Sequence, residues 1–330
     1  MSASQQHEDE DLEMSQTGLI DGEVHEDKSL PASPQSLRSK LVDGLCILLN
    51  ITSTVTLVFL NKWIFMNQQL KLMQTSFAMW HFTCTTIVLW IASRPCFDLF
   101  VPVRLPFLQM IPLCTFFAGF LILGNLSLAY NSIGFYQLAK IMTTPCVAIL
   151  QYFFLGHSVS NLTIAALASV CIGVGLTNTG AAGTNVLGAS IAVAAFVVTA
   201  FYQVWIGKKM ADFKVSSPQL LLNQAPISVL LLAFVVPFSD TLPDLNSIPT
   251  DTLIALFLSG LAAAALNLSQ FLIIGRMSAL TYNVASNSVK TIIILTYGWV
   301  SEGRLLTLKD SLGIVMALGG ATLYSQLSQR

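Results

Sequence analysis

The chain has 330 residues, of which 54% are hydrophobic and only 10% charged. A water-soluble domain carries roughly 25% charged residues, so this composition excludes an ordinary cytosolic enzyme, a disordered regulator and a nucleic-acid binder. The formal net charge of −1 hides an asymmetry: residues 1–40 hold three Lys or Arg against nine Asp or Glu, and residues 41–330 hold thirteen against eight. An acidic tail precedes a weakly basic membrane body.

Residues 1–40, with Glu8, Asp9, Glu10, Asp11 and Glu13 among scattered Ser, Gln and Pro, read as a disordered, solvated tail. They lack the basic start and apolar run of a cleavable signal peptide, so the first span acts as the insertion signal. Windows of about 20 apolar residues then predict an all-α membrane protein of ten transmembrane helices, near 42–64, 73–93, 107–129, 132–155, 161–179, 186–206, 219–238, 252–274, 279–299 and 311–327. Ten spans put both termini on one face. That face carries Arg38, Lys40, Arg94, Arg104, Lys208, Lys209, Lys214, Arg276 and Arg330; the other carries Lys71, Arg304 and Lys309. The excess predicts that both termini are cytosolic. The six cysteines form no CxxC pair and sit mostly in apolar blocks, so no metal site, cofactor or disulfide framework is expected. Four sequons, beginning at Asn50, Asn125, Asn161 and Asn267, fall in spans or a short cytosolic loop and should stay unglycosylated.

The two halves resemble each other. Phe59-Leu-Asn-Lys-Trp63 ends the first span and Phe201-Tyr-Gln-Val-Trp205 the sixth; Asn125-Leu-Ser127 lies in the third and Asn267-Leu-Ser269 in the eighth. Ser132-Ile-Gly-Phe-Tyr136 and Ser278-Ala-Leu-Thr-Tyr282 open the fourth and ninth. The matches keep a common order and predict two five-helix repeats, 41–182 and 183–330. Five spans is an odd number, so the second repeat enters the membrane inverted, the architecture of alternating-access carriers.

Charges inside spans are costly and mark function. Here they are Lys140, Lys290, Lys62 nearer an end, and His81, with Asp43 the one acid, at a span edge. Without an embedded carboxylate, export of cations is a poor fit. Uncompensated lysines suit an anion such as phosphate or diphosphate. Tyr136, Lys140 and Thr144 share a face at i, i+4, i+8. The repeat places Tyr282, Ser286 and Lys290 on the equivalent stripe. Lys140 lies ~12 Å and Lys290 ~16 Å into their spans from opposite sides, both within the central third of a core about 30 Å thick. Two such cations make a diphosphate clamp. Asn223 and Gln224, early in the seventh span beside Pro226, are amides that could read a base edge or bond helix to helix. Tyr136, Tyr202 and Tyr282 could stack on a base or pack as core. His81 reads as a hydrogen-bonded core histidine, Asn125 and Asn267 as bridges between helices, and Gly173, Gly175, Gly313, Gly319 and Gly320 as sites of close helix packing.

At these residues the chain resembles the nucleotide-sugar/triose-phosphate translocator family of the drug/metabolite transporter superfamily, over about 41–327. The landmarks are Asn61-Lys62, Ser132-Ile-Gly-Phe-Tyr-Gln-Leu-Ala-Lys140, Pro218-Gln-Leu-Leu-Leu-Asn-Gln-Ala-Pro226, Thr281-Tyr-Asn283 and Lys290-Thr291. The last pair resembles a lysine-threonine branch that includes UDP-xylose carriers and an orphan group of the solute carrier 35 E type. The resemblance implies that Lys140 and Lys290 contact substrate phosphates and that Asn223 and Gln224 face the nucleobase. It also implies antiport of a cytosolic UDP-sugar, best UDP-xylose, against a lumenal nucleoside monophosphate in the Golgi membrane, with the ER as alternative. Thr291, where plastid phosphate translocators carry a basic residue, argues against triose phosphate. Val289 before Lys290 departs from the GDP-mannose signature. Lys62, Tyr136, Thr144, Tyr282, Ser286 and Thr291 complete the expected substrate site. An organophosphate exchanger and a non-transport membrane interaction protein are the competing readings. No catalytic cluster or nucleic-acid partner is expected, and homodimerisation stays open.

Overall fold

A computed structural model describes residues 34–65, 70, 73–131, 140, 142–156, 160–177, 186–241, 248–290 and 307–327. The chain divides into two units, Met1–Leu41 and Val42–Arg330. In the first, the described residues 34–41 are helical. The second contains helices and, among the described residues, no strand.

In chain order the helices are α1 (Pro34–Ile64), α2 (Gln74–Ala92), α3 (Phe107–Tyr130), α4 (Thr143–Leu155), α5 (Asn161–Thr177), α6 (Val186–Phe213), α7 (Ser217–Ser239), α8 (Thr250–Arg276), the single turn α9 (Ala279–Thr281) and α10 (Leu308–Leu327). A π-helical segment, Tyr282–Ser288, follows α9 directly. Local sequence sets several ends. Pro106 and Pro249, in extended conformation, precede α3 and α8. Gly156, at φ +66°, closes α4 in the left-handed cap that a side chain would strain.

These helices are apolar on every side, the pattern of a helix whose outer face also meets a nonpolar solvent. Phe117, Leu113, Phe271 and Ile206 fill the interior. The periphery is equally apolar: Phe238 is 91% exposed, and Phe234, Leu108 and Phe153 are exposed as well. A surface of this kind in water would be an aggregation liability; against lipid tails it costs nothing. Six helices, α1, α2, α3, α6, α7 and α8, are long and apolar enough to cross a bilayer, which makes this a multi-pass membrane protein. Shorter apolar helices lie within α4, α5 and α10.

Where helices touch, small residues and single polar bonds join them. The principal pairs are α5 with α10, α3 with α6, α2 with α7 and α8, α4 with α6, and α7 with α3. A Cβ added at Gly173 of α5 would stand 2.5 Å from Ala317 N and 2.6 Å from Gly313 O of α10. One at Gly320 would meet Ala166 O at 2.8 Å. Gly319 has open space around it and serves no such approach. His81 is indeed a bonded core histidine, 3.2 Å from Ser259 Oγ. Asn267 donates to Thr85 Oγ1 at 3.0 Å, and Trp80 to Leu256 O at 3.0 Å, so α2 and α8 are stitched along their length.

Helix ends also meet. Arg276, at the end of α8, reaches Asp43 near the start of the second unit at 2.6 Å. Asn131, after α3, donates to Gly188 O at the start of α6 at 2.9 Å. Asp240, after α7, accepts from the backbone N–H groups of Thr75 and Ser76 in the first turn of α2. Gln219 and Asn223, early in α7, donate to Val101 O and Val103 O in the loop after α2 at 2.7 and 2.8 Å.

Candidate functional site

A buried polar cluster forms where α1, α8 and the π segment meet. Ser278 caps the short α9 by accepting from Thr281 N–H at 2.9 Å. The chain then winds as a π-helix through Tyr282–Ser288. Single π turns inside helices recur at functional sites. The expected α-helical stripe is therefore broadened locally, yet its members still converge. Lys290 Nζ lies 3.4 Å from Tyr282 OH and 4.9 Å from the centre of the Tyr282 ring.

Asn50 of α1 stands at the centre and is 0% exposed. Its oxygen accepts from Lys290 Nζ at 2.9 Å and from Ser286 Oγ. Its amide nitrogen donates to Ser269 Oγ at 2.8 Å and Leu266 O at 3.2 Å, both on α8. Lys290 is 6% exposed, and its hydrogen-bond partners among the described residues, Asn50 and Tyr282, are neutral. Beside it, the Asn283 amide donates to Gln203 Oε1 of α6 and to Ala279 O at 2.9 Å. Thr281 and Tyr324 of α10 share a hydroxyl contact of 3.1 Å.

Lys140 lies just before α4 and is exposed, while Thr143 and Thr144 that follow are buried. Both carboxylate salt bridges among the described residues, Arg276–Asp43 and Lys209–Asp212, lie away from Lys290. A buried ammonium held only by neutral groups keeps its charge uncancelled, and an anion is what would stabilise it.

The other expected site residues are placed as follows. Gln224 is 0% exposed and donates to Tyr202 OH at 2.9 Å, while its Oε1 has no partner among the described residues. Tyr202 stacks on Phe120, with ring centres 5.2 Å apart. Asn223 faces the other way. Its oxygen accepts from Leu105 N–H at 3.0 Å and its nitrogen donates to Val103 O and Gln219 O, so it fastens the loop before α3 to α7. Tyr136 and Thr291 lie outside the described residues. Lys62 belongs to the last turn of α1, and its side chain lies outside what is described, as does that of Asn125.

Sequence reasoning missed Asn50 as a site residue, and with it Ser269 and the Gln203–Asn283 pair. One signal was there to read. Asn50 interrupts the run Leu48-Leu49-Asn50-Ile51, and an amide inside a span must find partners.

Apolar helices of membrane-spanning length enclosing a buried, amide-lined polar cluster define a multi-pass membrane protein with a polar interior. The chain belongs to the Triose-phosphate Transporter family, whose model matches residues 42–325. UDP-xylose transporter 2 of Arabidopsis thaliana is 31% identical over 206 residues, 61% of this chain and 58% of that protein, so the match spans less than two thirds of its length. UDP-xylose transporter 1 of the same plant is 30% identical over 84% of this chain and 82% of its own. UDP-rhamnose/UDP-galactose transporter 2 is 28% identical over 84% and 80%. A solved crystal structure superposes with a TM-score of 0.66 over 89% of this chain and 98% of that one at 15% identity, and so shares the fold. The family and these relatives carry the names of transporters.

Proposed function

We propose that the protein is a UDP-sugar transporter that exchanges a cytosolic UDP-sugar, best UDP-xylose, for lumenal UMP by alternating access in the Golgi membrane. The observation that carries this reading is Lys290, buried with neutral hydrogen-bond partners among the described residues. A diphosphate supplies negative charge to Lys290, with Lys140 as the proposed second contact, and charge-assisted hydrogen bonds make such a contact strong. The UDP-sugar transporters among the relatives support the nucleotide class. Tyr136, Tyr282, Thr144, Ser286, Thr291, Gln224 and Lys62 complete the proposed substrate site, and Asn223, bonded to the loop before α3, drops out of it. Gln224 Oε1, buried without a described partner, is its best base-reading acceptor.

Ten spans in two inverted repeats are part of the proposal, and the packing supports them. Exchange each helix of the first five for its counterpart in the second five, and several of the contacts find a counterpart, two of them through side-chain bonds to α1. α2 with α8 becomes α7 with α3, and both pairs occur. α3 with α6 becomes α8 with α1, joined through Asn50–Ser269 and Asp43–Arg276. α4 with α6 becomes the ninth helix with α1, joined through Asn50, Ser286 and Lys290. The end contacts pair in the same way: Asn131–Gly188 answers Arg276–Asp43. Each pair of ends that meets is separated by an even number of crossings in the ten-span count, as residues on one face must be.

The test is exchange in proteoliposomes preloaded with UMP and offered UDP-xylose, UDP-rhamnose, UDP-galactose, GDP-mannose and triose phosphate. Uptake of a UDP-sugar that depends on internal UMP supports the reading. Uptake of triose phosphate alone selects the organophosphate exchanger, and no uptake of any anion refutes transport of this class.

A further inference from the structure

We infer that Asn50 is the positioning residue of the cationic site: it holds the Lys290 ammonium in place while leaving its charge uncancelled for the substrate phosphate. This rests on the transport reading above and adds a residue on α1 to it.

The amide is fully committed. A primary amide offers two donor hydrogens and two acceptor lone pairs. Asn50 spends the first two on Ser269 Oγ and Leu266 O, and the second two on Lys290 Nζ and Ser286 Oγ. Its orientation is thereby fixed: α8 anchors the nitrogen, so the oxygen must face the π segment. An ammonium has three donors. Among the described residues Asn50 and Tyr282 take two of them, and the third is the donor proposed for a ligand oxygen.

The choice of an amide has an electrostatic reason. A carboxylate at this position would hold the ammonium more tightly but would neutralise it, and a neutral pair attracts no phosphate. An aliphatic side chain would leave the charge free but unplaced, and a long lysine side chain loses rotamer entropy when it is fixed. The amide avoids both faults.

The test compares wild type with Asn50→Asp and Asn50→Ala in detergent and in proteoliposomes, with UMP as the thermal-shift probe and UDP-xylose exchange as the functional one. Asn50→Asp keeps the shape and both acceptor contacts and gives up the two donor bonds to α8. It should lose the shift with UMP and raise the KM for UDP-xylose at least tenfold. Asn50→Ala should raise KM by a smaller factor than Asn50→Asp, because its lysine is mobile but still charged. A purely structural role predicts the reverse order: Ala melts lower and loses more than Asp. Wild-type UMP affinity in Asn50→Asp, or that reversed order, overturns the assignment while the transport reading stands. A wild-type protein that responds to neither UMP nor UDP-xylose overturns both.

Discussion

Lys290 sits where a bilayer-embedded charge is least expected, and its surroundings decide what its removal does. In Lys290→Met the thioether fills a similar volume, and Asn50 Oδ1 keeps its contact from Ser286. No buried charge is left without a partner, so the ligand-free protein should melt at or above the wild-type temperature. The lost phosphate contact is charge-assisted and worth about 1.5–3 kcal/mol, which corresponds to roughly a 10- to 150-fold loss of UMP affinity. Exchange should be abolished. Lys140→Met should behave alike, because in a two-cation clamp neither lysine substitutes for the other. Thermal shift with UMP, followed by exchange in proteoliposomes at matched protein amounts, checks both. Wild-type exchange in Lys290→Met would sink the clamp.

At the scale of helices, two contacts have measurable consequences. α2 begins without a cap of its own, since Met73 at its N-cap makes no side-chain hydrogen bond. Asp240, more than 160 residues away in sequence, caps it instead through Thr75 and Ser76. Partial burial works to raise the Asp240 carboxyl, but hydrogen bonds from Ser76, Ser239 and Thr75 outweigh it and hold the group below its ordinary value of 3.8. A depressed folded-state value means the contribution is complete at neutral pH and is lost as pH falls through that value. Asp240→Ala should therefore cost about 0.5–2 kcal/mol at pH 7. The gap in melting temperature between the two proteins should close below pH 3.8. A gap that persists unchanged in acid would rule out the charged cap. The second contact is α5 against α10. Gly173→Ala drives a methyl into the backbone of α10, and overpacking of this kind costs about 1–3 kcal/mol. Gly319→Ala meets open space and should be neutral or stabilising, since Ala is the better helix former. Melting of the two variants side by side checks the pair.

For the molecule as a whole, the sorting of basic residues predicts sidedness. Added outside sealed Golgi vesicles, a protease should remove an epitope tag at residue 1 and another at residue 330. Protection of either tag would show that the span count is wrong. The acidic segment should be dispensable for transport: deletion of residues 1–38 keeps Lys40 and the whole apolar run of α1. A truncated protein that reaches the membrane in normal amount but exchanges nothing would refute this.

Membrane residence was legible in the chain because bilayer thickness fixes how long an apolar run must be, and α2, α3, α7 and α8 begin and end within a few residues of the expected spans. Lys290 stood out for a related reason: a charge in an apolar run is costly and must find polar partners, and the structure buries it against Asn50 and Tyr282. Asn50 was not. Its partners lie 216 to 240 residues away, and no local pattern announces which amide will meet which lysine. Asn223 and Gln224 are neighbours in sequence and shared one expectation, yet a helical turn of about 100° per residue points one to a surface loop and the other into the core. Likewise Gly173 and Gly319 look alike in the sequence, and only the crossing of α5 and α10 separates the glycine that packs from the one that does not. Hydropathy and charge act locally and can be read along the chain. Hydrogen-bond partners and close approaches depend on how helices cross, and that is decided by the tertiary structure alone.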